Sequence, residues 1–115
     1  MLEIKTIKNY VLNNGGMTLN TEGEKADLKT GFMASYQNTE KQLKLNDLTN
    51  DLIKSMIKDA MSKKAYLGLW LDNEILYLDI SININNLNDA MTFAKENKQL
   101  AIYDVKNAKT IYLKN

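Results

Sequence analysis

The sequence predicts an α+β protein: a single domain over residues 1–115, with an antiparallel or mixed sheet and its helices on one side. Two observations carry that fold class. Apolar residues recur at helical spacing over residues 48–61 and again over 87–94, as the buried stripe of a helix does. Between them, AYLGLWLDNEILYLDISINI, Ala65 to Ile84, alternates with period two on both sides of a polar pair, which is the pattern of a hairpin. Shorter alternating segments flank these, so the element order reads α-β-β-α-β-β-α-β-β.

Each element has its own justification. Ile4, Ile7 and Val11 recur at helical spacing beside Tyr10, and Asn14-Gly15-Gly16 ends the pattern as a C-terminal cap does. Met17-Thr18-Leu19 reads as a strand leading into the polar loop TEGEKADLKTG, and Phe32–Tyr36 reads as its hairpin partner. No end is assigned within QNTEKQLKL. The second helix carries Leu48, Leu52, Ile53, Met56, Ile57, Ala60 and Met61 on one stripe, with Asp47 or Asn46 as its cap.

In the central hairpin, a turn at Asp72-Asn73 sets Trp70 against Ile75, Leu69 against Leu76 and Leu67 against Leu78. Leu67, Leu69, Leu76 and Leu78, continued by Ile80, Ile82 and Ile84, form the core face, to be buried against helix two. Tyr66, Gly68, Trp70, Ile75, Tyr77 and Asp79 form the other. The third helix starts at Asn85-Asn86 with Asp89 three residues after its cap, and buries Leu87, Ala90, Met91 and Ala94. Gln99–Asp104 and Thr110–Leu113 close the chain as a last hairpin around Lys106-Asn107-Ala108.

Composition excludes several chemistries. The 115 residues contain no Cys and no His, which removes disulfides, thiolate or imidazole metal sites, and Ser-His or Cys-His catalysis. Only oxygen-ligated Mg²⁺ or Ca²⁺ stays open. Asp72, Glu74, Asp79 and Asp104 lie near strands and turns, where acids are mostly solvated or capping groups, and no glycine spacing cradles a phosphate. The expectation is a protein that is not an enzyme and holds no cofactor or metal. The opening MLEIKTIKNYVLNNGG is charged and no membrane span is expected, so the expected location is the cytoplasm.

Net charge is +1 and every cationic residue is Lys. Without Arg, bidentate reading of guanine or phosphate is lost. Acids are interleaved with the lysines, which argues against a polyanion as partner. The alternative is a single-stranded nucleic-acid-binding or regulatory accessory protein, stacking bases on sheet aromatics. The favoured reading is an interaction surface of Tyr66, Trp70, Asp72, Glu74, Ile75 and Tyr77, since Trp and Tyr bury large areas at little entropic cost. Tyr103 and Tyr112 extend it if the last hairpin joins the same sheet. The competing readings are that helix one or the first hairpin covers this face, or that a homodimer does.

EILYLDISINI, a helix ending AKENKQ and LAIYDVKNAKTIYL together resemble small accessory proteins of prophages and conjugative elements of Gram-positive bacteria. Their box N-Q-x-A-I-aromatic-D stands here as Asn97 to Asp104, with one extra residue between Asn and Gln. NGGMTLN and TGFMASY are similar to the openings of such proteins. The resemblance implies no catalytic residues. It implies cargo that counters host restriction or CRISPR immunity by binding a host defence complex, such as a CRISPR effector, in the host cell.

Overall fold

Leu and Ile on one side of a hairpin need a cover, and in this chain three helices supply it from the same side. A computed structural model describes residues 1–114. The helices are α1 (Ile4–Asn14), α2 (Asn50–Ser62) and α3 (Leu87–Glu96). The strands are β1 (Gly16–Leu19), β2 (Phe32–Ser35), β3 (Lys41–Lys44), β4 (Tyr66–Asp72), β5 (Ile75–Ile84), β6 (Ala101–Asp104) and β7 (Lys109–Tyr112). They form one antiparallel sheet in the order β1-β4-β5-β2-β6-β7, with β3 also paired to β5. The α+β architecture and the one-sided helices agree with the sequence. The seventh strand, β3, lies within the stretch QNTEKQLKL that had no assigned end.

Two apolar clusters hold the layers together. Ile7 and Val11 of α1 join Ile53, Met56, Ile57 and Ala60 of α2 against Leu67, Leu69, Leu76, Leu78 and Ile80. Ala90 and Ala94 of α3 close on Ala34 of β2 and Ile102 of β6, a smaller core with Ile84 at its margin. Tyr36, at the margin of the first cluster, meets Phe93 of the second edge-on at 5.0 Å between ring centroids. That contact joins the two cores.

Local signals explain most boundaries. Gly15 adopts φ 83° and its N–H donates to Val11 O, ending α1 in the left-handed conformation that glycine tolerates. Asn86 caps α3 by accepting from Asp89 N at 3.1 Å. The cap of α2 is Thr49, which accepts from Leu52 N, rather than Asp47 or Asn46. Those two belong to a short 3₁₀ turn, Leu45–Asp47, that precedes the helix. Met61 and Leu87, expected on buried stripes, are 57% and 40% exposed, each in the terminal turn of its helix.

The central hairpin turns one residue later than the spacing suggested. Asn73 and Glu74, at φ 51° and 78°, occupy the two left-handed positions of a mirror-type turn. Trp70 therefore faces Tyr77 instead of Ile75, and Leu69 faces Leu78. A shift of two in pairing keeps every side chain on its expected face. It also brings Gly68 opposite Asp79, where a side chain on Gly68 would strike the Asp79 carboxylate at 2.8 Å. The expected β1–β2 hairpin does not form. β1 pairs β4 and β2 pairs β5, so residues 20–31 carry the chain from one side of the central hairpin to the other.

Leu78 is fully buried between the helices and the sheet. Replacing it with Ala is expected to cost about 2–5 kcal/mol, measured by urea denaturation. An unchanged midpoint would contradict this packing.

Candidate functional site

All three helices pack on the leucine face, which leaves the opposite face of the sheet without a helix. Strand register determines what stands there, because paired residues share a side. Gly16, Trp70, Tyr77 and Gln42 form one row across β1, β4, β5 and β3. Thr18, Gly68 and Asp79 form the next, followed by Tyr66, Ser81 and Ser35. Neither α1 nor a first hairpin covers these rows, since Ile7 and Val11 of α1 belong to the leucine core. The connection 20–31 meets this face at its far end, where Asn83 Nδ2 donates to Thr30 O at 3.0 Å.

Trp70 is 61% exposed, although it lies in the middle of a row. Its ring leans on Tyr77 at 5.9 Å between centroids and an interplanar angle of 38°, so the two present a single aromatic surface. Ile75 lies one row beyond them, and Tyr66 two rows the other way in the row of Ser81 and Ser35, each half-buried. Asp72 pairs with Ile75 at the hairpin end, and Glu74 sits in the turn itself; both are exposed. Tyr103 and Tyr112 belong to the same face, through the pairs Asn83–Met33, Met33–Tyr103 and Ala101–Tyr112. Three strand spacings across and six residues along put Tyr103 roughly 25 Å from Trp70. Trp70, Tyr77, Ile75, Asp72 and Glu74 thus gather at one corner and Tyr103 and Tyr112 at the other, with Tyr66 in the polar band between them.

That band was missed in the sequence as a unit. Asp79 Oδ2 accepts from Ser35 Oγ and Asp79 Oδ1 from Ser81 Oγ, each at 2.9 Å. Burial raises the Asp79 pKa above the ordinary 3.8; the two hydroxyls oppose the shift and the nearby Glu40 carboxylate adds to it. The band borders a break in the sheet. Tyr36 N still donates to Ile80 O at 2.9 Å, and residues 37–40 then bulge away from β5, with Asn38 at φ 63°. Thr39 mends the ladder, its Oγ1 accepting from Ile80 N at 3.1 Å and donating to Tyr36 O at 3.0 Å. Alternation in QNTEKQLKL was the available signal for β3, but nothing local revealed the bulge.

The four candidate carboxylates do not converge. Asp104 is on the helix side, accepting from Asn107 N and Nδ2, while Asp79 lies roughly 13 Å along the strand from the Asp72–Ile75 pair. Among the described residues no group of three or more carboxylates is placed to hold a metal ion. The two main recesses, about 370 and 350 Å³, open at the α1 N-terminus and beside Asn20, Thr21 and Tyr66. Neither of these recesses is lined by Trp70 or Tyr77.

The residues of the Asn97–Asp104 box have structural tasks. Asn97 Nδ2 donates to Phe93 O and its Oδ1 accepts from Gln37 N, which ties the end of α3 to the strand bulge. Gln99 Nε2 donates to Asn97 O, and Asp104 holds the β6–β7 turn. No protein-family model matches this chain, and no curated protein or solved structure is significantly similar to it. No helix among the described residues is long and apolar enough to cross a membrane.

Two measurements check this geometry. Trp70→Ala is expected to change unfolding free energy by less than about 1 kcal/mol, as for an exposed side chain. Asp79→Asn is expected to be at least as stable as the parent at pH 7. With its folded pKa raised, native Asp79 binds more protons than the unfolded chain above pH 3.8, so its stability falls as pH rises through that window. The variant's advantage should accordingly shrink as pH is lowered towards 3.8, and thermal melts across that range read it directly.

Proposed function

We propose that this chain is a non-enzymatic mobile-element protein that inhibits a host defence complex, specifically a CRISPR effector, by direct protein binding. The observation that carries the binding reading is the Trp70–Tyr77 surface. A tryptophan 61% exposed sits on a sheet face that no helix covers, while the leucine core is complete without it. Small molecules bind in concave sites, and neither recess described above includes the Trp70–Tyr77 pair. Exposed aromatics are the usual anchors of protein interfaces.

The defence context rests on the resemblance of the Glu74–Leu113 region and the two N-terminal segments to prophage and conjugative-element proteins. The charge on the face favours protein over nucleic acid. Asp72 and Asp79 stand on it by register and Lys44 is the cation beside Ile75, whereas a backbone-tracking groove needs uncompensated positive charge. Such a protein would work in the cytoplasm of the host cell. A homodimer through the same face is the competing occupant.

The test is capture from a host cell with active restriction and CRISPR systems, together with survival of incoming phage or plasmid DNA. Co-purification of a CRISPR effector with protection of the incoming DNA is the expected result. Trp70→Ala should weaken the complex by about 2 kcal/mol or more, a hot-spot effect, without unfolding the chain. Absence of both capture and protection would end the proposal. A submicromolar complex with single-stranded DNA or RNA that survives physiological salt would favour the nucleic-acid alternative.

A further inference from the structure

Asp79 is a carboxylate without a cation. It is partly buried, and the ion pairs among the described residues are Met1 amino group–Glu24, Lys29–Asp27 and Lys63–Asp59. Fifteen lysines are present and none pairs with it. A shielded charge without a counter-ion is costly, and asparagine would fill the same space without that cost. Two serine hydroxyls bind one lone pair on each oxygen. A carboxylate has about four such sites, so roughly two remain free.

The surroundings suit a cation from outside. Gly68, directly opposite, has no side chain, so the carboxylate lies over bare backbone, and Asp79 is half-buried rather than sealed from the surface. One row along the sheet stand Trp70 and Tyr77, about 7 Å away by strand geometry. Their rings offer a face on which a planar cation or its aliphatic stem can rest. Glu40 at the bulge is the charged group that acts on Asp79, while Asp72, Glu74 and Lys44 stand at the hairpin end, roughly 13 Å or more along the strand. With Glu40 beside Asp79 and no lysine acting on it, the cluster is negative.

We infer that the Asp79–Ser35–Ser81 cluster, with the adjoining Trp70–Tyr77 surface, is a seat for an arginine side chain of the protein partner. The guanidinium donates to the free lone pairs of Asp79 and lies against the aromatic pair. Arginine fits better than lysine because it is planar, sheds water more readily and donates through a fork. The inference rests on the reading of this face as a protein-docking surface and gives that surface its chemical preference.

Trp70 is the only tryptophan, so its fluorescence reports on the seat. The purified protein would be titrated with three blocked tripeptides that carry arginine, lysine or glutamine at the centre. A saturable change with the arginine peptide is expected, at an affinity on the order of millimolar for one side chain. Asp79→Asn should weaken it by at least about tenfold, and Leu12→Ala on the exposed side of α1 should leave it unchanged. Thermal melts confirm that both variants are folded. An equal response to glutamine, or undiminished binding by Asp79→Asn, overturns the seat. Equal binding of lysine overturns the choice of arginine. The titration needs no host component. If it fails while Trp70→Ala still abolishes effector capture, the seat alone is wrong; if it succeeds without capture, the defence reading is.

Discussion

The pairing of β4 with β5 is the constraint on which everything else depends. Strict alternation in both strands places five large aliphatic side chains, Leu67, Leu69, Leu76, Leu78 and Ile80, on one side. Once that side is taken by α1 and α2, the opposite side must carry whatever alternates with the leucines. Trp70, Tyr77 and Asp79 stand on the helix-free face for that reason. The core and the candidate interaction face are two consequences of one register.

The helix-free face is organised by an interruption. Strand β5 is ten residues long, but its second neighbour is split into β2 and β3 by the bulge at residues 37–40. Thr39 replaces the missing backbone partner of Ile80, so the break costs no hydrogen bond. Asn97, at the end of α3, anchors the other side of the bulge through Gln37 N. The polar cluster of Ser35, Asp79 and Ser81 borders that break, where the face changes from aromatic to hydrophilic. Such a division suits recognition: an aromatic anchor for affinity beside a charge that selects its partner.

The glycine opposite Asp79 shows how local and global demands meet. A glycine in a strand interior weakens it, and Gly68 has no left-handed turn to justify it. Its role is clearance, since any side chain there would meet the carboxylate. Clearance and carboxylate come as a pair, and both sit where the aromatic surface begins.

Much was determined by the sequence alone. Period-two and helical spacings are local properties, so the three helices, six of the strands, the leucine core face and the membership of the opposite face were readable without coordinates. The caps at Gly15 and Asn86 were readable for the same reason. Only the tertiary structure decided which strands are neighbours, because pairing depends on contacts between residues far apart in the chain. The break between β2 and β3, the separation of Tyr103 and Tyr112 from Trp70, and the Ser35–Asp79–Ser81 cluster all follow from pairing. The hairpin turn was decided there too. Two registers satisfied the alternation equally, and the one that seats Asp79 over Gly68 keeps the leucines inside while giving the carboxylate room.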